Sequence, residues 1–252
     1  MRAPTHVQRP GLLAGLALAP FTAAGSYLRR SRLFHPRGLC LRGVARACDG
    51  DAASREAGER LAGAVLVRFS SAWWKWREWP DVLGCALRFT RDGSDAAARA
   101  GDQDLLLATI RTPLTTLLAP LTTHVDDFMS NAYFGVSPFS VAPLGRVKLR
   151  LSPEEPSPGG STREQRLTRA LARAPLRLTL EARPHRLGSR YRPIARLELV
   201  ERVQFEHDAL RFDPFTAGRG FAPVGFVHAL RVATYAASRH ARDSAGARRG
   251  AR

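Results

Sequence analysis

The chain predicts an antiparallel barrel of about eight strands with helices before, between and after them, an α+β arrangement. Three observations carry that expectation. Short runs rich in Val and Leu recur along the chain, each bounded by Gly, Pro, Asn, Asp or Ser, which is how half-buried strands and their turns are written. Counted together, the runs give about eight strands, with helices before, between and after them, which suits an antiparallel barrel. At 252 residues and 44% hydrophobic content, the chain can bury one sizeable core. The expected organisation is an N-terminal helix or extension over residues 1–30, one domain over 31–243, and a disordered basic tail over 244–252.

The elements are expected in this order. "GLLAGLALAPFTAAG" reads as an N-terminal helix, with an export signal as the second reading; it is too short and too interrupted by Pro20 to span a membrane. "GLCLRGVARA", "GAVLVRFSSA" and "LGCALRFT" read as three neighbouring antiparallel strands. Between the second and third lies "AWWKWREWPD", which holds all four tryptophans, Trp73, Trp74, Trp76 and Trp79, as a pocket wall or a cover for apolar surface. "DLLLATIR" reads as a fourth strand and "TPLTTLLAPLTTHVDDFMSNAYF" as helical material interrupted by Pro120. "YFGVSPFSV" and "GRVKLRLSP" suit a hairpin around "APLG", and "PEEPSPGGSTREQ" a polar loop. "LTRALARA" predicts a short basic helix, "PLRLTLEAR" and "IARLELVERV" two more strands, and "FDPFTAGRGFAPVG" an irregular stretch before a final helix.

The formal net charge is +17, yet of 39 basic residues only Lys75 and Lys148 are lysines, and the arginines are spread along the whole chain. Basic clusters occur only at Arg29 to Arg32 and from Arg239 to Arg252, and no zinc-finger or RNA-binding motif accompanies them. Nucleic acid is therefore a minor expectation as partner. Three cysteines, Cys40, Cys48 and Cys85, without CxxC spacing argue against a disulfide framework and a zinc site, and a cytoplasmic location is expected.

"RVATYAASRHAR", residues 231 to 242, sets a chemical question. On a helix, steps of three, four and seven residues nearly complete whole turns, so Arg231, Tyr235, Ser238 and Arg242 share one stripe. A phenol in that positive field is shifted toward phenolate, a hard anionic metal ligand. A solvated arginine face is the plainer alternative.

The order of segments from about residue 32 to residue 242 resembles the haem catalase family, including its short catalase-like forms. "RLFHPRG" looks like that family's distal segment, "LVRFSSA" and "PDVLGCALRF" like its second and third strands, and "NAYFGVSPFSV" like the stretch after its haem-covering helices. "FDPF" followed by "RVATYAASRHAR" resembles its proximal segment. The resemblance implies haem b with ferric iron as cofactor and Tyr235 as the axial metal ligand, a tyrosinate of the kind that holds iron in catalases. It implies Arg231 as the residue holding Tyr235 deprotonated, and Arg32, Arg68 and Arg242 as partners of the haem propionates. His35 would be the distal acid and base, and Ser70 the hydroxyl that orients it. The substrates implied are hydrogen peroxide or organic hydroperoxides.

Thr109 stands where the family carries its distal asparagine, which places efficient dismutation in doubt more than haem itself. The sequence also shows neither the long amino-terminal arm nor the carboxy-terminal helical domain of full-length members. That leads to the expectation of a more open pocket, with the tryptophans as an apolar entrance, and of a monomer or homodimer. A catalase-fold protein that binds haem or a lipid without turnover is the next reading. A metal-dependent phosphodiesterase is a further one, from His124, Asp126 and Asp127 in "THVDDF" and from His207 and Asp208 in "EHDALRFD", although these pairs stand alone and the first group suits a helix cap.

Overall fold

The computed structural model describes residues 38–74, 77–91, 97–112, 118–186, 188–205 and 210–225. Ten strands form one antiparallel sheet: β1 (Gly38–Ala47), β2 (Gly63–Ser71), β3 (Leu83–Thr90), β4 (Gln103–Ala108), β5 (Tyr133–Gly135), β6 (Phe139–Val141), β7 (Gly145–Pro153), β8 (Leu176–Pro184), β9 (Arg192–Val203) and β10 (Phe221–Pro223). The sheet order is β10-β6-β7-β5-β4-β3-β2-β1-β9-β8, and β7 also pairs with β8. That last pairing closes a ring of eight strands, β7-β5-β4-β3-β2-β1-β9-β8, and leaves β6 and β10 as a flap on β7. Closure removes the exposed edges that an open sheet would present.

Alternation decides what fills the ring. Val65, Val67 and Phe69 of β2 join the central cluster, as do Leu83, Cys85, Leu87 and Phe89 of β3 and Val147, Leu149 and Leu151 of β7. Phe69 packs at 5.4 Å from Phe128 and 5.7 Å from Tyr133 between ring centroids, and Tyr133 donates its hydroxyl to the Phe128 carbonyl at 2.8 Å. The core thus accepts a tyrosine because its one polar side-chain atom is satisfied.

Helix α1 (Ala52–Leu61) connects β1 to β2 and is not among the elements expected from the sequence. Asp51 caps it by accepting from the Ser54 N–H at 2.9 Å. Its buried face is Ser54, Ala57, Gly58 and Leu61, too small to register as an apolar stripe. A Cβ on Gly58 would fall 2.0 Å from the Ile194 carbonyl oxygen, so only glycine lets this helix lie against β9.

Two further expectations are corrected. Among its described residues, the stretch 112–134 holds a four-residue helix, α2 (Ala119–Thr122), a 3₁₀ turn at Phe128–Ser130 and the start of β5, in place of extended helix. Pro120 sits in the first turn of α2, where its missing N–H costs nothing. Helix α3 (Arg163–Arg173) starts inside the stretch expected to be a polar loop, because Thr162 caps it by accepting from the Gln165 N–H at 3.2 Å. The irregular stretch 212–225 contributes β10. Among the described residues no helix is long and apolar enough to cross a membrane.

Candidate functional site

The outward face of β2 carries Leu66, Arg68 and Ser70, and all three are buried, with Arg68 8% and Ser70 4% exposed. An outward-facing strand surface on an antiparallel barrel is ordinarily solvated. Register places Gly38, Ser70, Gly84 and Ala108 in one row across β1, β2, β3 and β4, and Cys40, Arg68, Ala86 and Leu106 in the next. Arg68 therefore rises from a wall on which three neighbouring strands each offer a side chain of one carbon or none. A Cβ on Gly38 would lie 2.6 Å from the Arg68 Nε, so the absence of a side chain there makes room for the guanidinium. The Ser70 row thus carries side chains of one carbon or none, Arg68's own row carries Cys40, Ala86 and Leu106, and a nearly sealed cation and a hydroxyl stand side by side on this wall.

One row further along, β3 and β4 present Arg88 and Asp104, both fully buried. Arg88 Nε donates to Asp104 Oδ1 at 2.8 Å and one Nη to Oδ2 at 2.7 Å, a bidentate pair. The same Nη donates to the Arg211 carbonyl, and the Asp213 N–H donates to Asp104 Oδ2 at 2.7 Å. The guanidinium also lies 5.0 Å from the Phe212 ring centre. Burial pushes the Asp104 carboxyl up, against the pull of Arg88. This clasp fastens the "FDPF" segment to the barrel wall. The sequence carries a signal for it, a lone arginine inside "LGCALRFT", but nothing local identifies its partner.

The tryptophan loop between β2 and β3 is organised by Asp81, which is completely buried. Its carboxylate accepts from the N–H groups of Trp73 at 3.2 Å, Trp74 at 3.0 Å and Val82 at 2.7 Å. Arg163 locks the loop from the other side, donating to the carbonyls of Trp74 at 3.0 Å, Arg77 at 3.1 Å and Val125 at 3.0 Å, while its own backbone N–H donates to Glu78. Burial pulls the Arg163 pKa down. Trp74 and Trp79 meet edge to face at 5.1 Å, and Trp73, Trp74 and Trp79 remain 47%, 38% and 49% exposed. They do not cover the core. Trp76 lies outside the described residues.

Thr109 follows β4, and its hydroxyl oxygen accepts from the Leu83 N–H at 3.2 Å and from the Thr123 hydroxyl at 2.8 Å. It ties β3 to the segment carrying α2. Arg68 and Ser70 share one face of one strand. Arg32, His35, Arg231, Tyr235 and Arg242 lie outside the described residues, as do His207 and Asp208.

The other residues singled out for chemistry are structural. Asp127 caps the 3₁₀ turn, accepting from the Met129 N–H at 3.0 Å, the Ser130 hydroxyl at 2.7 Å and the Ser157 N–H at 2.9 Å. Burial works against its charge, but these donors outweigh burial and hold the carboxyl below its usual range. Asp126 pairs with Arg166 at 3.3 Å, and the His124 backbone is bridged by the Asn131 amide. Among the described residues no three His, Cys, Asp or Glu side chains gather as a metal site. The three cysteines form no disulfide among the described residues, and burial raises the Cys48 and Cys85 thiols away from the reactive thiolate.

No family model and no curated protein sequence matches the chain. Among solved structures it is similar to a fungal catalase, with a TM-score of 0.54 and 12% sequence identity, over 84% of this chain and 59% of that one. The chain thus spans less than two thirds of that catalase's length. At this identity the likeness defines the fold: a closed, eight-stranded antiparallel barrel of the catalase type.

Proposed function

We propose that the protein is a haem-dependent catalase-like enzyme that acts on hydrogen peroxide or on organic hydroperoxides. The observation that carries this reading is the pair Arg68 and Ser70, buried on the outside of a catalase-type barrel, with Gly38, Gly84, Ala86 and Ala108 among the residues beside them. Haem, when bound, would supply ferric iron for breaking the O–O bond. Tyr235 would hold the iron through its phenolate oxygen, and Arg231, four residues earlier in the sequence, would keep the phenol deprotonated. Arg32, Arg68 and Arg242 would neutralise the propionates. His35 would take the proton from the peroxide oxygen and return it to the departing one, and Ser70 would orient the imidazole by hydrogen bonding to a ring nitrogen.

The protein supplied with haem is expected to show a high-spin tyrosinate-type spectrum that responds to peroxide. Tyr235→Phe is expected to abolish stable haem loading while the circular dichroism stays unchanged, and His35→Ala to keep haem but lose peroxide consumption. A wild-type chain that takes up no haem would sink the reading. An unchanged haem spectrum in the Phe variant would remove Tyr235 as ligand.

A second reading, haem or lipid binding without turnover, is favoured by Thr109, whose hydroxyl is already engaged by Leu83 and Thr123 and which offers no amide. Haem occupancy with negligible consumption of both hydrogen peroxide and an organic hydroperoxide would select it.

A further inference from the structure

On the opposite side of the barrel, β7 and β8 place two cations directly across from each other on the outward face, Lys148 opposite Arg183. Like charges at directly opposed positions repel and are ordinarily avoided. The next outward row shows the usual solution, with Arg150 Nε 2.6 Å from Glu181 Oε2 and one Nη 2.7 Å from Oε1. Lys148 and Arg183 have no carboxylate partner among the described residues. They are also not free to swing apart. Both are half-buried, and the Arg183 guanidinium lies 5.1 Å from the Tyr191 ring centre, a ring that Arg150 covers at 4.3 Å. The Arg183 Nε is buried without a hydrogen-bond partner, so the aromatic face, not a carboxylate, fixes this side chain. Burial and the neighbouring Arg183 charge pull the Lys148 ammonium below its ordinary pKa. Arg146, the outward residue before Lys148 on β7, adds a further positive charge, and exposed His185 follows β8.

We infer that Lys148 and Arg183 form a binding site for a small phosphate-type oxyanion, bridged between the ammonium and the guanidinium on the outside of β7 and β8. A doubly charged tetrahedral oxyanion offers several acceptors at once, which suits one point charge and one planar fork held side by side. The anion converts a repulsive cross-strand pair into two charge-assisted contacts. The site rests on no part of the haem reading, since it lies on the wall away from Arg68 and its test measures binding and stability alone.

The test is thermal unfolding of the full chain against inorganic phosphate, with sodium chloride at matched ionic strength as reference. Phosphate is expected to raise Tm with saturation, and Lys148→Gln to weaken half-saturation by about tenfold, the loss of one charge-assisted contact. Without phosphate, Lys148→Gln is expected to be at least as stable as the wild type, because it removes the repulsion. Glycerol phosphate in place of the free ion tells the two sources apart: equal potency points to a phosphate ester as ligand, and its failure to free phosphate. Two results overturn the proposal: a phosphate effect no larger than that of chloride, or one that persists unchanged in both Lys148→Gln and Arg183→Gln.

Discussion

The wall formed by β2, β3 and β4 and the wall formed by β7, β8 and β9 are alike inside and different outside. Both turn apolar side chains into the ring. Outside, β8 and β9 carry a solvated ladder of exposed and half-exposed pairs, Arg177 with Glu198 and Arg196 with Glu154, while Arg150 with Glu181 is half-buried. Outside β2 to β4, the charges are Arg68, Arg88 and Asp104, all buried. Charges leave water only when something repays their desolvation, as Asp104 does for Arg88. A ladder pair contributes little because each partner is hydrated with or without the other.

The largest expected effect breaks that difference directly. Asp104→Ala leaves the Arg88 guanidinium buried beside an empty place, and a loss of about 3–5 kcal/mol in denaturant-measured stability is expected. Glu198→Gln, which breaks the exposed pair with Arg177 on the other wall, is the control. An equal loss in both would mean that the walls do not differ energetically.

Phe69→Ala probes the faces of a single strand. Its ring stands between Phe128 and Tyr133. Its removal is expected to cost about 3–5 kcal/mol, at the lower end if the cavity collapses. Arg68→Met, one residue away on the opposite face, is expected to change stability far less and to act on haem retention instead. A stability loss as large as that of Phe69→Ala would make Arg68 a structural residue.

Asp81→Asn is expected to cost about 1–3 kcal/mol, because the N–H groups of Trp73, Trp74 and Val82 are shared between both carboxylate oxygens and the amide replaces one of these acceptors with an NH2 donor. The readout is tryptophan emission, which should change before global unfolding if the loop loosens first. Coincident changes would show that loop and barrel unfold as one unit.

Asp127 gives a pH dependence. Its folded pKa is depressed, so the native state holds fewer protons there than the unfolded chain does. The stability it contributes is complete above the unfolded carboxyl value, about 3.9, and is lost as pH falls through the lower folded value. Asp127→Asn should flatten the stability profile below about pH 4 and leave its slope near neutrality unchanged. The smallest effect is that of Glu198→Gln, whose partner Arg177 is exposed, at under about 1 kcal/mol.

β1 and β3 are legible in the sequence with their limits, since "GLCLRGVARA" and "LGCALRFT" pair an alternating or continuous apolar run with clear boundaries. Helix α1 is not, because a helix whose buried face is Ser, Ala, Gly and one Leu shows its amphipathicity only against the strand that receives it. The stretch 112–134 reads as helix by composition, but Asp127 caps a short turn there and β5 captures Tyr133. Arg68 and Ser70 follow from motif resemblance, whereas Asp81, Arg88, Asp104 and Arg163 escape a reading of the sequence. Each of those four acts on groups that only folding brings near, as Arg88 does on the Arg211 carbonyl.

The sequence by itself determined most of the long strands, their alternation and hence a barrel with an apolar interior, but not the split of "YFGVSPFSV" into β5 and β6 or the presence of β10, because a period of two residues is a local property that shows only in runs of some length. Only the tertiary structure decided that the eighth pairing is β7 with β8, which outward face is sealed, and which charges find partners. Those outcomes depend on register between strands distant in sequence, where a shift of one residue would exchange Arg68 for Phe69 and turn the wall inside out.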